Sequence, residues 1–376
     1  MRAAEPRAGE VDLSIGEPDQ PLPAPLVDAA VASLRAGRTG YTPKLGLTEL
    51  RELLAADVAA STGYRPDVAD VVVTVGGTGA VAVALAAACA PGRPGQPGRA
   101  LLAPDPAWPN YRVLAAQLGL RVLPYRQGPS GDGFGDLGEI AAGLRSGARL
   151  VVVNSPSNPT GAVASAAWLR DLVALVREHD AYVLSDEAYE SVVFAGGRAP
   201  SPLADGGHDR TFAARTFSKT FSMTGLRAGS LVAPPELRGA VAALHGTTAG
   251  CAPVTAQLVA AEALRTLPGR GAELAEVYRA RFERATEVLG PWAPAEPVAG
   301  LGGFYLWVDA RATGRTGAEL TAALRERGVL VSSGTVYGET EGFVRLALTA
   351  PDAVLDGALR TARAVLDGLA PADRTV

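Results

Sequence analysis

The sequence predicts an α/β fold: a large domain with a mostly parallel sheet between helices, plus a smaller α+β domain. Three observations predict it. Six short runs are apolar at nearly every position: 71–75, 99–103, 150–153, 181–184, 211–214 and 229–233. Such runs suit strands buried on both faces, as in parallel sheets. Helix-like stretches lie between them, and strand–helix alternation points to a parallel sheet. From about residue 254 the pattern changes to long helical stretches, then short strands, then a closing helix.

In chain order, the first ~40 residues hold no element large enough to stand alone. Residues 1–41 are therefore grouped with 286–376 as the small domain, and 42–285 form the large one. After 71–75 comes "GGTG" and an alanine-rich stretch, read as a strand, a glycine turn and a helix. The Pro/Gly-rich 90–100 is a surface loop, because alternation continues on both sides, and 127–139 is a similar loop. In "ASAAWLRDLVALVREH", Trp168, Leu169, Leu172, Leu175 and Val176 recur at helical spacing. The stretches 254–267 and 272–289 read as helices. A strand at 302–310, a helix at 317–328, strands at 329–334 and 343–349 and a last helix follow.

The chain of 376 residues is long enough for about two domains. With 48% hydrophobic residues it can bury a sizeable interior. Its net charge is −4, and no basic stripe points to nucleic acid. No apolar run is long enough for a membrane span, and the N-terminus lacks an apolar signal core. Cys89 and Cys251 are far apart and match no metal spacing, so no metal is expected. A reduced cytoplasm fits best, with both thiols buried.

The chemistry is expected beyond the carboxyl ends of the strands, where open α/β sheets bind ligands. Gly76-Gly77-Thr78-Gly79 follows the first apolar run; a helix start there suits a phosphate, with a plain tight turn as the alternative. Asn154 and Asn158 follow the third run, and Asp186 and Tyr189 follow the fourth. A lone carboxylate at a buried strand end is costly unless paired. Asp186 is read as the partner of a cationic ring nitrogen, with a helix cap as the alternative. The Tyr189 phenol suits a ring oxygen. Lys219 follows the fifth run. The chain holds only two lysines, Lys44 and Lys219, against 33 arginines. A retained lysine suggests a need for an amine that can turn neutral and form an imine, which a guanidinium cannot. Arg227, with Thr216 and Ser218, suits a phosphate. Arg345 sits in an otherwise apolar strand and needs an anionic partner; a substrate carboxylate suits it better than the alternative, a structural carboxylate. Together these groups describe pyridoxal phosphate carrying an amino acid.

In series, "SIGEPD", "YTPKLGLTELR", "GGTGA", "PAWPNY", "NSPSNPTG", "SDEAY", "SKTFSMTGLRAG" and "VRLAL" resemble the class I/II aminotransferases of the fold-type I pyridoxal-phosphate enzymes. The resemblance runs from about Val11 to Val365 and implies a seven-stranded sheet in the large domain. It implies that Lys219 forms the Schiff base with pyridoxal 5'-phosphate and shuttles the proton. Asp186 pairs with the pyridinium nitrogen, and Asn158 and Tyr189 bond the ring oxygen. Gly77, Thr78, Thr216 and Arg227 hold the phosphate, and Trp108 stacks on the ring. Arg345 takes the substrate's α-carboxylate, helped by Asn158 and the backbone near Gly16. Tyr41 reaches the phosphate of the neighbouring subunit, which makes a homodimer part of the site. Thr216 departs from the usual Ser or Gly but keeps a hydroxyl.

The implied reaction is ping-pong transfer of an amino group between an L-amino acid and a 2-oxo acid. Other chemistry on the same cofactor (β-elimination, ring formation, oxidation or hydroxylation) uses the same core residues. A nicotinamide dehydrogenase leaves Lys219 and Asp186 without a role, and a binding module does not need the full set. No motif marks an arginine for a second substrate carboxylate, so a neutral or cationic side chain is favoured over an aspartate type. Glu17 and Asp19 are candidates to meet a cationic side chain, and Phe304 and Tyr305 to line the pocket.

Overall fold

The computed structural model describes residues 6–89 and 99–371. The chain opens with β1 (Val11–Asp12), α1 (Ala24–Arg35) and α2 (Thr48–Thr62). Then come β2 (Val71–Val75), α3 (Gly76–Ala88), β3 (Ala100–Asp105), α4 (Asn110–Gln117), β4 (Arg121–Arg126) and α5 (Leu137–Arg145). Next are β5 (Ala148–Asn154), α6 (Ala166–Glu178), β6 (Tyr182–Asp186), β7 (Thr211–Thr216) and β8 (Ala228–Val232). Three helices follow: α7 (Arg238–Thr248), α8 (Val254–Thr266) and α9 (Arg270–Leu289). The chain closes with β9 (Tyr305–Asp309), α10 (Gly317–Glu326), β10 (Val329–Leu330), β11 (Ser332–Ser333), β12 (Phe343–Ala347) and α11 (Asp352–Leu369).

The large sheet has seven strands in the order β2-β8-β7-β6-β5-β3-β4. Only β8 runs against its neighbours; the other pairings are parallel. β2 and β7 are both antiparallel to β8, so they share one direction. The carboxyl ends of β2, β3, β5, β6 and β7 therefore meet at one edge, where β8 begins.

All six apolar runs became strands. Successive residues face opposite sides of a strand, and both sides are covered. Leu150 and Val152 pack with α3, α4 and α7, whereas Val151 and Val153 pack with α5 and α6. Farther along that second face, Val71 and Val73 pack with α2 and α8. The strand β4 had no apolar run to announce it. It lies at the sheet edge, with Arg121 and Arg126 at its ends and Pro124 within. Charges and proline are tolerated there because an edge strand has one unpaired side.

The amphipathic reading of α6 holds with one shift. Its buried face is Trp168, Leu169, Leu172, Val173 and Val176, and Leu175 is only partly buried. The Ser165 hydroxyl caps its N-terminus by accepting the Trp168 N–H. The loop expected at 90–100 falls outside the described residues, apart from 99 and 100. Cys89 is buried as expected, but Cys251 is half-buried.

In the C-terminal part, β11-β12-β9 form an antiparallel sheet over a cluster that includes Phe282, Leu306, Leu346 and Leu359. Two helices pack across the expected boundaries at 41/42 and 285/286. α1 rests on α8, and its Leu26 joins the cluster of β2 and α2, not the small sheet. α9 packs along α11, and its Leu274, Tyr278 and Phe282 join the small-sheet cluster. Their apolar faces decide this, not their place in the chain. From the first segment, β1 pairs with the C-terminal part in parallel with β10, and Leu13 just after it bonds both Leu330 and Ala347. Among the described residues, no helix is long and apolar enough to cross a membrane.

Candidate active site

A cavity of about 1620 Å³ opens at the carboxyl edge of the large sheet, roofed by the small one. Eleven of the twelve residues to which the resemblance gives a role line it: Gly16, Gly77, Thr78, Trp108, Asn158, Asp186, Tyr189, Thr216, Lys219, Arg227 and Arg345. The twelfth, Tyr41, is 98% exposed and outside the cavity of its own chain.

The phosphate-like cradle is built from missing side chains. α3 starts directly at Gly76, with no separate turn, and its first N–H groups have no helical partner. Gly76 has φ +68°, and a Cβ there would lie 2.5 Å from Arg227 Nη2. A Cβ at Gly77 would crowd Thr216 at 3.3 Å. Arg227 itself adopts φ +62° and donates through Nη1 to the Thr224 carbonyl at 2.8 Å. Its own carbonyl accepts the Gly76 N–H. The Thr216 hydroxyl donates to Ser218 Oγ at 2.9 Å. The cradle thus combines a helix start, two hydroxyls and a guanidinium, a donor set that fits a phosphate.

Asp186 ends β6, buried. Tyr111 donates its hydroxyl to Asp186 Oδ2 at 2.5 Å, and the Ala188 N–H reaches Oδ1 at 3.3 Å. Burial pushes the carboxyl up to about 6, against the opposing pull of the Tyr111 bond. A carboxylate so poorly solvated fits a cation in the cavity beside it. Asn154 Nδ2 donates to the Asp186 carbonyl at 3.0 Å and its Oδ1 accepts the Asn158 N–H at 2.8 Å. Two strand ends are so tied together.

Lys219 Nζ donates to the Gly16 carbonyl at 2.6 Å. Arg345 Nη1 donates to Asn158 Oδ1 at 2.9 Å, and Nη2 to the Ser14 carbonyl at 2.5 Å. Its Nε is buried without a partner, although the side chain lies in the cavity wall. A buried guanidinium with an unmet donor fits an incoming carboxylate.

The expectations differ from the structure at the mouth. Asp19 does not line the cavity; it holds Arg281 through two hydrogen bonds of 2.8 and 2.9 Å. Arg281 is nearly buried and needs that counter-charge. Glu17 does line the cavity and accepts the Thr224 hydroxyl. Phe304 is wholly buried behind Tyr189, with ring centroids 5.2 Å apart, while Tyr305 lines the cavity. Tyr111 was missed as a functional candidate. The signal was its place three residues after Trp108, in a helix whose apolar setting leaves a phenol needing a partner. Ser14, whose carbonyl accepts from Arg345, and Tyr337, whose ring centroid lies 4.9 Å from the Arg345 guanidinium carbon, were missed because one contributes a carbonyl and the other a ring face.

The chain matches the family "Aminotransferase class I and II" over residues 8–361. It is 32% identical to an arginine–pyruvate transaminase of Pseudomonas aeruginosa, over 89% of this chain and 84% of that protein. It is 31% identical to a valine–pyruvate aminotransferase of Mycobacterium tuberculosis, over 93% and 89%. The solved aspartate aminotransferase of Thermus thermophilus with maleate superposes at a TM-score of 0.85, with 30% identity, over 95% of this chain and 91% of that one. A match that spans both sheets and every strand end feeding the cavity leaves one assignment: the chain is an enzyme of the class I and II aminotransferase family.

Proposed function

We propose that this enzyme exchanges an amino group between an L-amino acid with one carboxylate and a 2-oxo acid, using pyridoxal 5'-phosphate. The observation that carries the reading is the convergence of Lys219, Asp186 and Arg345 on one cavity. When bound, the cofactor supplies a cationic ring that accepts the electron pair of the substrate's Cα–H bond. Asp186 would face the ring nitrogen and keep its proton in place. Asn158 and Tyr189 would bond the ring oxygen, and Trp108 would cover a ring face. Gly77, Thr78, Thr216 and Arg227 would take the phosphate. Lys219 Nζ would hold the cofactor and, once the substrate amine is in its place, move the substrate's α-proton. Arg345, with Asn158 and the Gly16 segment, would hold the substrate carboxylate.

Tyr41 reaches the phosphate of a second subunit in a homodimer; its full exposure in one chain supports this. The single carboxylate follows from the cations. Of those lining the cavity, Arg325 is held by Glu10, Arg227 belongs to the cradle and Lys219 is assigned to the cofactor. Arg345 remains for the substrate. A neutral or cationic side chain agrees with the arginine- and valine-named relatives and not with the aspartate-named one.

The test is spectroscopic. The purified protein should absorb at ~400–430 nm through its bound cofactor. A reactive amino donor should bleach that band, and a 2-oxo acid should restore it. Lys219→Ala should bind the cofactor without turnover. Release of ammonia and an oxo acid with no acceptor present would replace transamination by a lyase or oxidase reaction.

A further inference from the structure

Tyr305 touches three parts of the site at once. It is buried at the start of β9, opposite Ala347 of β12, while Arg345 is opposite Trp307. Tyr305 and Arg345 are therefore diagonal neighbours on one sheet face. The Arg345 guanidinium carbon lies 4.0 Å from the Tyr305 ring centroid, and Tyr337 lies on it at 4.9 Å. The Tyr305 hydroxyl is 3.1 Å from the Tyr189 hydroxyl. It also fills the space where Gly16 lacks a side chain, since a Cβ there would sit 1.7 Å from it. The Gly16 carbonyl is the acceptor of Lys219.

We propose that Tyr305 is a positioning residue with two separable roles: its hydroxyl sets Tyr189 as a donor into the cavity, and its ring holds the Arg345 guanidinium. The proposal rests on the cofactor reading above. The first role follows from counting protons. Two hydroxyls share one hydrogen bond, so one O–H remains for a third group. Tyr189 is the one hydrogen-bond partner of the Tyr305 hydroxyl among the described residues, and in the proposed arrangement Tyr305 is the donor. That leaves the Tyr189 proton for an acceptor in the cavity, such as the ring oxygen. The second role follows from the cation lying over the ring face, which restrains a guanidinium through its attraction to the π electrons.

The two roles predict different losses. Tyr305→Phe keeps the ring and removes the hydroxyl. Tyr189 then no longer has to donate to the ring oxygen, whose negative form is less stabilised. The midpoint of the pH-dependent absorbance change of the bound cofactor should rise by roughly 0.5–1 pH unit. Affinity for propionate, a one-carboxylate probe, should stay within about two-fold. Tyr305→Leu removes both, so it should also weaken propionate by roughly three- to ten-fold. If the Leu variant is insoluble, Tyr305→Met carries the same comparison. An unmoved midpoint in Tyr305→Phe overturns the hydroxyl role. Wild-type propionate affinity in the variant lacking the ring overturns the ring role. Absence of any cofactor absorbance in the wild-type enzyme overturns instead the reading on which the proposal stands.

Discussion

The Tyr111 hydroxyl lies 2.5 Å from Oδ2 of Asp186, and both groups are buried beneath the cavity. One hydrogen bond does not replace water around a carboxylate, so burial lifts Asp186 to about 6. A raised carboxyl binds a proton in the folded state where the unfolded chain has lost it. Stability is therefore full below about 4 and lost as pH rises through about 6.

The first prediction follows. Cofactor-free Asp186→Asn should be more stable than cofactor-free wild type at pH 8, by up to ~3 kcal/mol, with the gap closing below pH 4. Glu190, partly buried and pushed up to about 7 by desolvation, adds its own loss to both proteins, so only their difference reports Asp186. Urea unfolding across that range measures it. Parallel pH curves would sink the assignment of Asp186 as the strained acid. The same variant should lose most activity, since an amide cannot neutralise a ring cation.

Lys219→Arg keeps a cation near the Gly16 carbonyl but removes the transferable amine. Turnover should fall by ~10⁴-fold or more. Added methylamine should restore part of the rate in Lys219→Ala, because it supplies a neutral amine in the vacated space. A rate in the arginine variant near that of wild type would remove Lys219 from the chemistry.

Arg345→Lys should raise KM for the amino acid by roughly 10²-fold. The guanidinium is held by Asn158 and the Ser14 carbonyl while its Nε is left over, an arrangement that a single ammonium cannot copy. Steady-state kinetics with a monocarboxylic donor tests this. An unchanged KM would point to another carboxylate site.

Behind the cavity, Arg215 joins Glu187 at 2.8 Å and Asp57 at 3.0 Å, beside the site residues Thr216 and Asp186. Arg215→Ala leaves the buried Glu187 uncompensated, and denaturation should show a loss of about 3–5 kcal/mol. Arg215→Met with Glu187→Met should cost less than the single change. A larger cost in the double variant would contradict a simple charge-pairing role.

Gly16→Ala sets a methyl group 1.7 Å from the Tyr305 hydroxyl. That phenol must move, so propionate affinity should fall. Adding Tyr305→Leu should relieve the clash and bring the double variant close to Tyr305→Leu alone. Independent, additive losses would show that Gly16 and Tyr305 do not share the space.

Much of the chain was legible from its sequence. Continuous apolar runs, helical periodicity and the residue types at strand ends are local properties, written within a few positions of each other. They were enough for the α/β class, the strands β2, β3, β5, β6, β7 and β8, and the choice of Lys219, Asp186 and Arg345. The partners of those residues were decided only by the tertiary structure. Lys219 meets Gly16 from 203 positions away, Arg345 meets Ser14 from 331, and Asp186 meets Tyr111 from 75. The burial of Arg281 drew Asp19 out of the site, and the packing of α8 drew α1 away from the small sheet. Local pattern sets which face a residue turns to the core. Which distant group then stands opposite depends on how the layers close, and no short stretch of chain carries that information.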